Sequence, residues 1–277
     1  MATEPRVHSL FYYPVKGLTG ISVDAWSPER AGMRFDRRWM FVTSEGRFIS
    51  QRRFPELVHW SVLVVGDDLV FSDRRNPQQY YWVPGVFRTD RPRISIELWN
   101  DRFEAYVIEE PRVAQLVAAM GAPDARLVYL GASSRRPLDA TYNRGGEVTS
   151  FGDAFPYLIV NTASLDALSV HCGEALNMMR FRPNIVLQTD TAWAEDHWQH
   201  VQIGPHRFRI DKACGRCQVV TIDQHTGRRR LELLTKIGQL REREGRILFG
   251  VYAVWEPNDS KQPLRQHHGV SIRTREA

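Results

Sequence analysis

Cysteine is scarce in this 277-residue chain: three in all, at Cys172, Cys214 and Cys217. An odd number, two of them in one short motif, argues against a disulfide framework and for a reducing, cytoplasmic setting. Long apolar runs are missing too, so no membrane span is expected, and the opening MATEPRVHSLFYYPVKG lacks the basic-then-apolar pattern of a secretory leader. Charge of one sign barely accumulates: 37 basic against 32 acidic residues leave +5, with the arginines scattered as pairs such as Arg37-Arg38, Arg52-Arg53 and Arg135-Arg136. Nucleic-acid binding favours basic residues gathered on one face among stacking aromatics, so it is not expected here. A few arginines lining one anion pocket fit this pattern better. What the chain does have is 43% hydrophobic residues, enough to bury one large or two ordinary cores.

The most informative stretch runs from Ile203 to Arg230, IGPHRFRIDKACGRCQVVTIDQHTGRRR. An alternating run (His206, Phe208, Ile210) precedes Cys214-Gly215-Arg216-Cys217, and a second one (Val219, Thr221, Asp223) follows it. The cysteines are therefore expected between two strands, with turn chemistry at Asp223 to Gly227. A Cys-x-x-Cys pair serves as half a zinc site, as a redox dithiol, or as two core thiols. Zinc needs a second Cys or His pair nearby, and Cys172 is remote. A redox pair wants its first cysteine opening a helix, and Gln218 to Asp223 is a poor helix start. Two readings stay open. In one, an exposed Cys217 has positive charge from Arg216 and Lys212 beside it, which favours a thiolate suited to soft metal centres; in the other, both cysteines are small buried hydrophobes.

Upstream, His8 to Tyr13 and Ile21 to Trp26 read as strands around a Gly-rich connection, with Pro14 stopping the first. Lys16, at a strand end before Gly17, is placed either to meet an anion with the backbone amides or as an ordinary hairpin lysine. Gly32 to Val42 reads as a turn feeding a strand in which Arg37 and Trp39 share one face and Arg38 and Met40 the other. An inward arginine there must pair with Asp36 or hold a ligand anion. Further strands are expected at 61–65, 69–72, 94–99 and 103–107. Helices are expected at 110–120, 165–176 and 231–240, and a closing strand at 247–255. The polar stretch 131–148 marks a domain boundary or a long loop. Asn161, Thr162 and Ser164 precede the second helix, where an N-terminus offers unpaired amides to an anion, although simple capping by Thr162 explains them equally well. Arg182 and Asn184, two apart at a strand start, suit bidentate phosphate recognition.

Taken together, the ACGRCQVVTIDQHTG segment, the YPVK around Lys16, the Asp36-Arg37 pair, the FxDxxP and ASL block from Phe151, the FRPN from Phe181 and the AEDHW from Ala194 resemble the MOSC domain family. That family includes the molybdenum-cofactor amidoxime-reducing proteins. The resemblance implies an α+β, β-rich fold: an N-terminal β-rich MOSC-associated domain over 1–130 and a MOSC β-barrel over 131–277. It implies the molybdenum cofactor (Mo-molybdopterin), with no need of pyridoxal phosphate. Cys217 would be the metal ligand and the catalytic residue. Lys16, Arg37, Asn161, Thr162, Arg182, Asn184, Arg216 and Tyr252 would bind the cofactor, with Arg52 a weaker candidate and Cys214 structural. It further implies reduction of small N-hydroxylated substrates with electrons from a separate ferredoxin- or cytochrome-type donor protein and its reductase, or alternatively a non-catalytic module carrying cofactor or sulfur through Cys217. Tyr252, Asp153 and Asp196 are the possible proton donors.

Overall fold

The structure, a computed structural model, describes residues 4–131 and 136–275; residues 132–135 of the expected 131–148 loop lie outside the described part. Alternation of apolar and polar residues gives the chain its strands, and two sheet systems bury them. The larger sheet runs Val270–Thr274, Trp198–Ile203, His206–Gly215, Arg246–Glu256, Tyr157–Asn161, Ile185–Gln188, Arg6–Tyr12 and Ile21–Val23, in spatial order. Its centre is mostly apolar, as strands buried on both faces require: Tyr157–Asn161 is buried at every position and only Asn161 brings an amide. The smaller system has a five-stranded sheet ordered Arg93–Leu98, Asp101–Val107, Arg126–Tyr129, Trp39–Val42 and Val15–Lys16, and a three-stranded sheet of Asn76–Val83, Asp68–Asp73 and Trp60–Val65. Trp39, Phe41, Trp60 and Phe71 fill the core between them.

The first strand pairs antiparallel with Ile185–Gln188, so the N-terminus is built into the C-terminal sheet. The expected barrel does not close into a continuous ladder. Its path ends at the three-residue strand Ile21–Val23 on one side and at Val270–Thr274 on the other, and the bridge Arg6–Gly269 brings the two ends of the chain together. No helix of the described residues is long and apolar enough to cross a membrane.

Among the described residues three α-helices are observed, Pro111–Ala119, Thr162–Cys172 and Glu232–Arg241. Two local expectations are corrected. Arg37 is not in a strand: it takes a left-handed turn conformation (φ 50°), and the strand begins at Trp39. Residues Gln218–Thr221 form a 3-10 turn instead of a strand. There the Thr221 hydroxyl donates to the Gln218 carbonyl at 2.7 Å, a local bond that competes with a ladder. Val220, Thr221 and Ile222 are buried in succession, so the alternation in the sequence does not describe two faces.

Candidate functional site

A cleft of about 860 Å³, counting its open mouth, lies between the smaller β-system and the C-terminal sheet. Lys16, Phe48, Gln51, Arg52 and Trp99 line it from one side; Asp153, Phe155, Arg182, Cys217 and Tyr252 line it from the other. Nine of the residues singled out from the sequence meet here: Lys16, Arg37, Arg52, Asp153, Arg182, Asn184, Arg216, Cys217 and Tyr252.

Cys217 follows the long strand His206–Gly215 and opens the 3-10 turn, which leaves its thiol exposed. Cys214 is buried inside that strand, where desolvation pushes its thiol up. The motif therefore separates one accessible sulfur from one core sulfur. Between them, Arg216 donates from Nε and Nη2 to the Phe249 carbonyl at 2.9 and 2.7 Å and from Nη1 to the Phe181 carbonyl at 3.0 Å. These neutral partners fix the guanidinium in the cleft wall and leave its charge uncancelled.

The other cations divide into spent and available. Arg37 is spent: it pairs with Asp36 and donates to Asn184 Oδ1 at 3.3 Å and to the Arg182 carbonyl at 3.0 Å, the structural partner foreseen in Asp36. Asn184 is a strut, accepting from Leu158 N and donating to the Phe11 carbonyl. Arg182 donates from Nη1 to the Leu18 carbonyl at 2.7 Å and stacks on Tyr13, while its buried Nη2 has no partner. Burial lowers its pKa to about 10. Arg180, which the sequence reading passed over, pairs with Asp223 at 2.6 Å and also keeps a buried, unpartnered Nε. The signal for it was the Met-Arg-Phe-Arg spacing, which sets two arginines two apart. Both line the cleft. Buried guanidinium N–H groups cost free energy until an acceptor arrives, so these two atoms are the natural seat of an anion.

Lys16 is 7% exposed and reaches Asp153 Oδ1 at 2.5 Å. Desolvation brings it down to about pKa 8 even though Asp153 opposes the shift. Asp153 is 58% exposed at the cleft mouth; what desolvation it feels is outweighed by Lys16, Arg37 and Arg182, which hold its carboxyl far below the usual range. Since the folded pKa of Lys16 is the lower one, its positive charge is present at pH 7 and lost as pH rises through about 8. Sulfate, whose own charge is constant there, should raise the melting temperature more than chloride at pH 7 and much less at pH 9. Thermal unfolding of Lys16→Met should show a sulfate effect that no longer varies with pH.

Asn161 and Thr162 are not among the cleft residues. Asn161, not Thr162, is the helix cap: its Oδ1 accepts from Ala163 N at 3.1 Å and its Nδ2 donates to the Thr191 carbonyl and to Glu195. Its polar groups are consumed by the fold. Asp196 is held by Arg241 through two contacts at 2.8 Å and also lies outside the cleft.

A family model of the MOSC domain matches residues 146–270, and one of the MOSC N-terminal beta barrel domain matches residues 4–121. The chain belongs to the MOSC domain family. Several curated relatives carry the name molybdenum cofactor sulfurase. That of Drosophila mojavensis is 27% identical over 271 residues, 96% of this chain and 34% of its own length. The Solanum lycopersicum protein is 26% identical over 90% of this chain and 33% of itself, and the Homo sapiens protein 26% identical over 93% and 31%. This MOSC protein thus spans about a third of the curated relatives it matches. A solved structure, the YUAD protein of Bacillus subtilis, aligns over 100% of this chain and 99% of its own at 8% identity with a TM-score of 0.45.

Proposed function

We propose that this MOSC protein holds the molybdenum cofactor in the interdomain cleft, with the Cys217 thiolate as its ligand to the metal, and reduces N-hydroxylated compounds with electrons from a separate donor protein. The observation that carries the reading is the juxtaposition of one exposed thiol with two unpartnered guanidinium N–H groups in one cleft. A soft sulfur donor suits a molybdenum–dithiolene centre and the buried N–H groups suit the anionic tail of a pterin phosphate, so the residues fit the group. The names of the relatives tie them to the molybdenum cofactor.

When bound, the cofactor supplies the two-electron redox chemistry; the chain supplies binding, orientation and protons. Arg180 Nε and Arg182 Nη2 fix the anionic end. Arg216 adds a positive charge to the wall of the same cleft. Reduction of R–NHOH to R–NH2 and water takes up two electrons and two protons. The Lys16 ammonium, with a pKa about 8 and poised on Asp153, is the most available proton in the cleft. Tyr252 holds its proton well above the ordinary tyrosine range because it is desolvated, so it serves as a hydrogen-bond donor.

The names of the relatives favour a second reading, in which the cleft carries cofactor or sulfur through Cys217 without turning substrate over. Protein purified from a cofactor-producing host separates the two. About one molybdenum per chain with hydroxylamine reduction by a reduced dye is the expected result. Metal without turnover leaves the carrier, and absence of molybdenum ends both.

A further inference from the structure

Trp99 sits at the tip of the hairpin joining Arg93–Leu98 to Asp101–Val107, in a two-residue connection fixed by the Leu98–Asp101 pair. Its backbone is left-handed (φ 60°), a conformation that favours Gly, Asn or Asp and is an outlier for a bulky residue. A residue chosen for the turn alone would not be tryptophan. The side chain lines the cleft yet is 41% exposed, with the Arg52 guanidinium stacked at 4.4 Å and Lys16 Nζ 5.8 Å from the ring centre. Across the cleft, Phe155 and Tyr252 stack on each other, 5.1 Å apart and 15° from parallel. Flat aromatic surface thus borders the space above Cys217 from both domains.

We propose that Trp99, steadied by Arg52, is a stacking platform that selects planar, conjugated N-hydroxylated substrates, such as aryl amidoximes and N-hydroxylated heteroaromatic bases, over small aliphatic hydroxylamines. The proposal rests on the reductase reading and adds its specificity. A conjugated N–O substrate offers a π-face to the indole and a partly negative oxygen to Lys16, whereas an aliphatic one offers only the oxygen.

The test uses molybdenum-loaded protein with benzamidoxime and N-methylhydroxylamine. Trp99→Asn removes the ring with a residue the turn accepts, and Trp99→Phe keeps a ring. In Trp99→Asn, kcat/KM for benzamidoxime should fall about tenfold, through KM, which is the size expected for one aromatic stack. N-methylhydroxylamine should change less than twofold, molybdenum content should hold, and Trp99→Phe should recover most of the loss. Equal losses on both substrates, or none on either, would overturn the platform. Should the wild-type protein reduce neither compound, the reductase reading fails by itself. Calorimetric binding of benzamidoxime then decides the platform alone: about tenfold weaker binding in Trp99→Asn upholds it, and unchanged binding refutes it.

Discussion

Cys217→Ser should lower bound molybdenum from about one per chain to under a tenth while leaving the melting temperature within roughly a degree, as expected for an exposed side chain free of structural contacts. The thiol is exposed at the start of a short turn, so serine fits the same backbone. What changes is the donor: an alcohol stays protonated at neutral pH and is a hard ligand, whereas a soft metal centre calls for thiolate. Elemental mass spectrometry beside thermal unfolding reads both quantities. A serine variant that retained a full complement of metal would remove Cys217 from the coordination sphere.

Cys214→Ser reverses the pattern and serves as the control. That sulfur is 1% exposed, packs with Val160, Leu168 and Phe249, and its polar contacts are a weak 3.6 Å approach to the Gly215 carbonyl and a side-chain hydrogen bond with Tyr252. A serine hydroxyl there, desolvated among apolar neighbours, should cost about 1–3 kcal/mol of stability and leave the metal in place.

The sequence made the cysteine motif and the strand-rich plan legible because each depends on local spacing, whereas Arg182 and Asn184 do not share a strand face: Arg182 takes a left-handed cap conformation (φ 52°) and the strand begins at Ile185. The strand His206–Gly215 and the helix Pro111–Ala119 follow from periodicity and a glycine stop. Other features depend on partners remote in sequence. The capping role of Asn161 is decided by Thr191 and Glu195, some thirty residues on, which turn a candidate anion site into a filled one. Arg37 and Arg182 looked alike in the sequence, yet Asp36 neutralises the first while the second keeps an open N–H. The N-terminal strand crossed to the C-terminal sheet because its pairing residues, Ile185 to Gln188, are remote in sequence, and no local pattern encodes that. Trp99 escaped notice for the opposite reason: its residue type contradicts its turn, and only the cleft explains it.

Gly250→Ala should be a severely damaging single-methyl change next to the cleft-lining Arg216 anchor. Gly250 lies within the central strand Arg246–Glu256 at φ 72°, which costs an L-residue about 1–2 kcal/mol. An added Cβ would stand 2.6 Å from Val160 Cγ1 and 2.8 Å from the Ile159 carbonyl. The valine can shift, but Ile159 pairs with Val251 on one side and Ile185 on the other, so its carbonyl cannot yield without parting strands. Together the two effects come to about 3–4 kcal/mol, and the melting temperature should drop by roughly 6–12 °C. The damage should reach the cleft as well. The Phe249 carbonyl accepts two of the Arg216 bonds, so displacing the 249–250 peptide releases the guanidinium from its place in the cleft wall. Metal content should therefore fall even at temperatures where the variant remains folded. Full metal retention alongside the lowered melting temperature would show that Arg216 is not needed where the strand holds it.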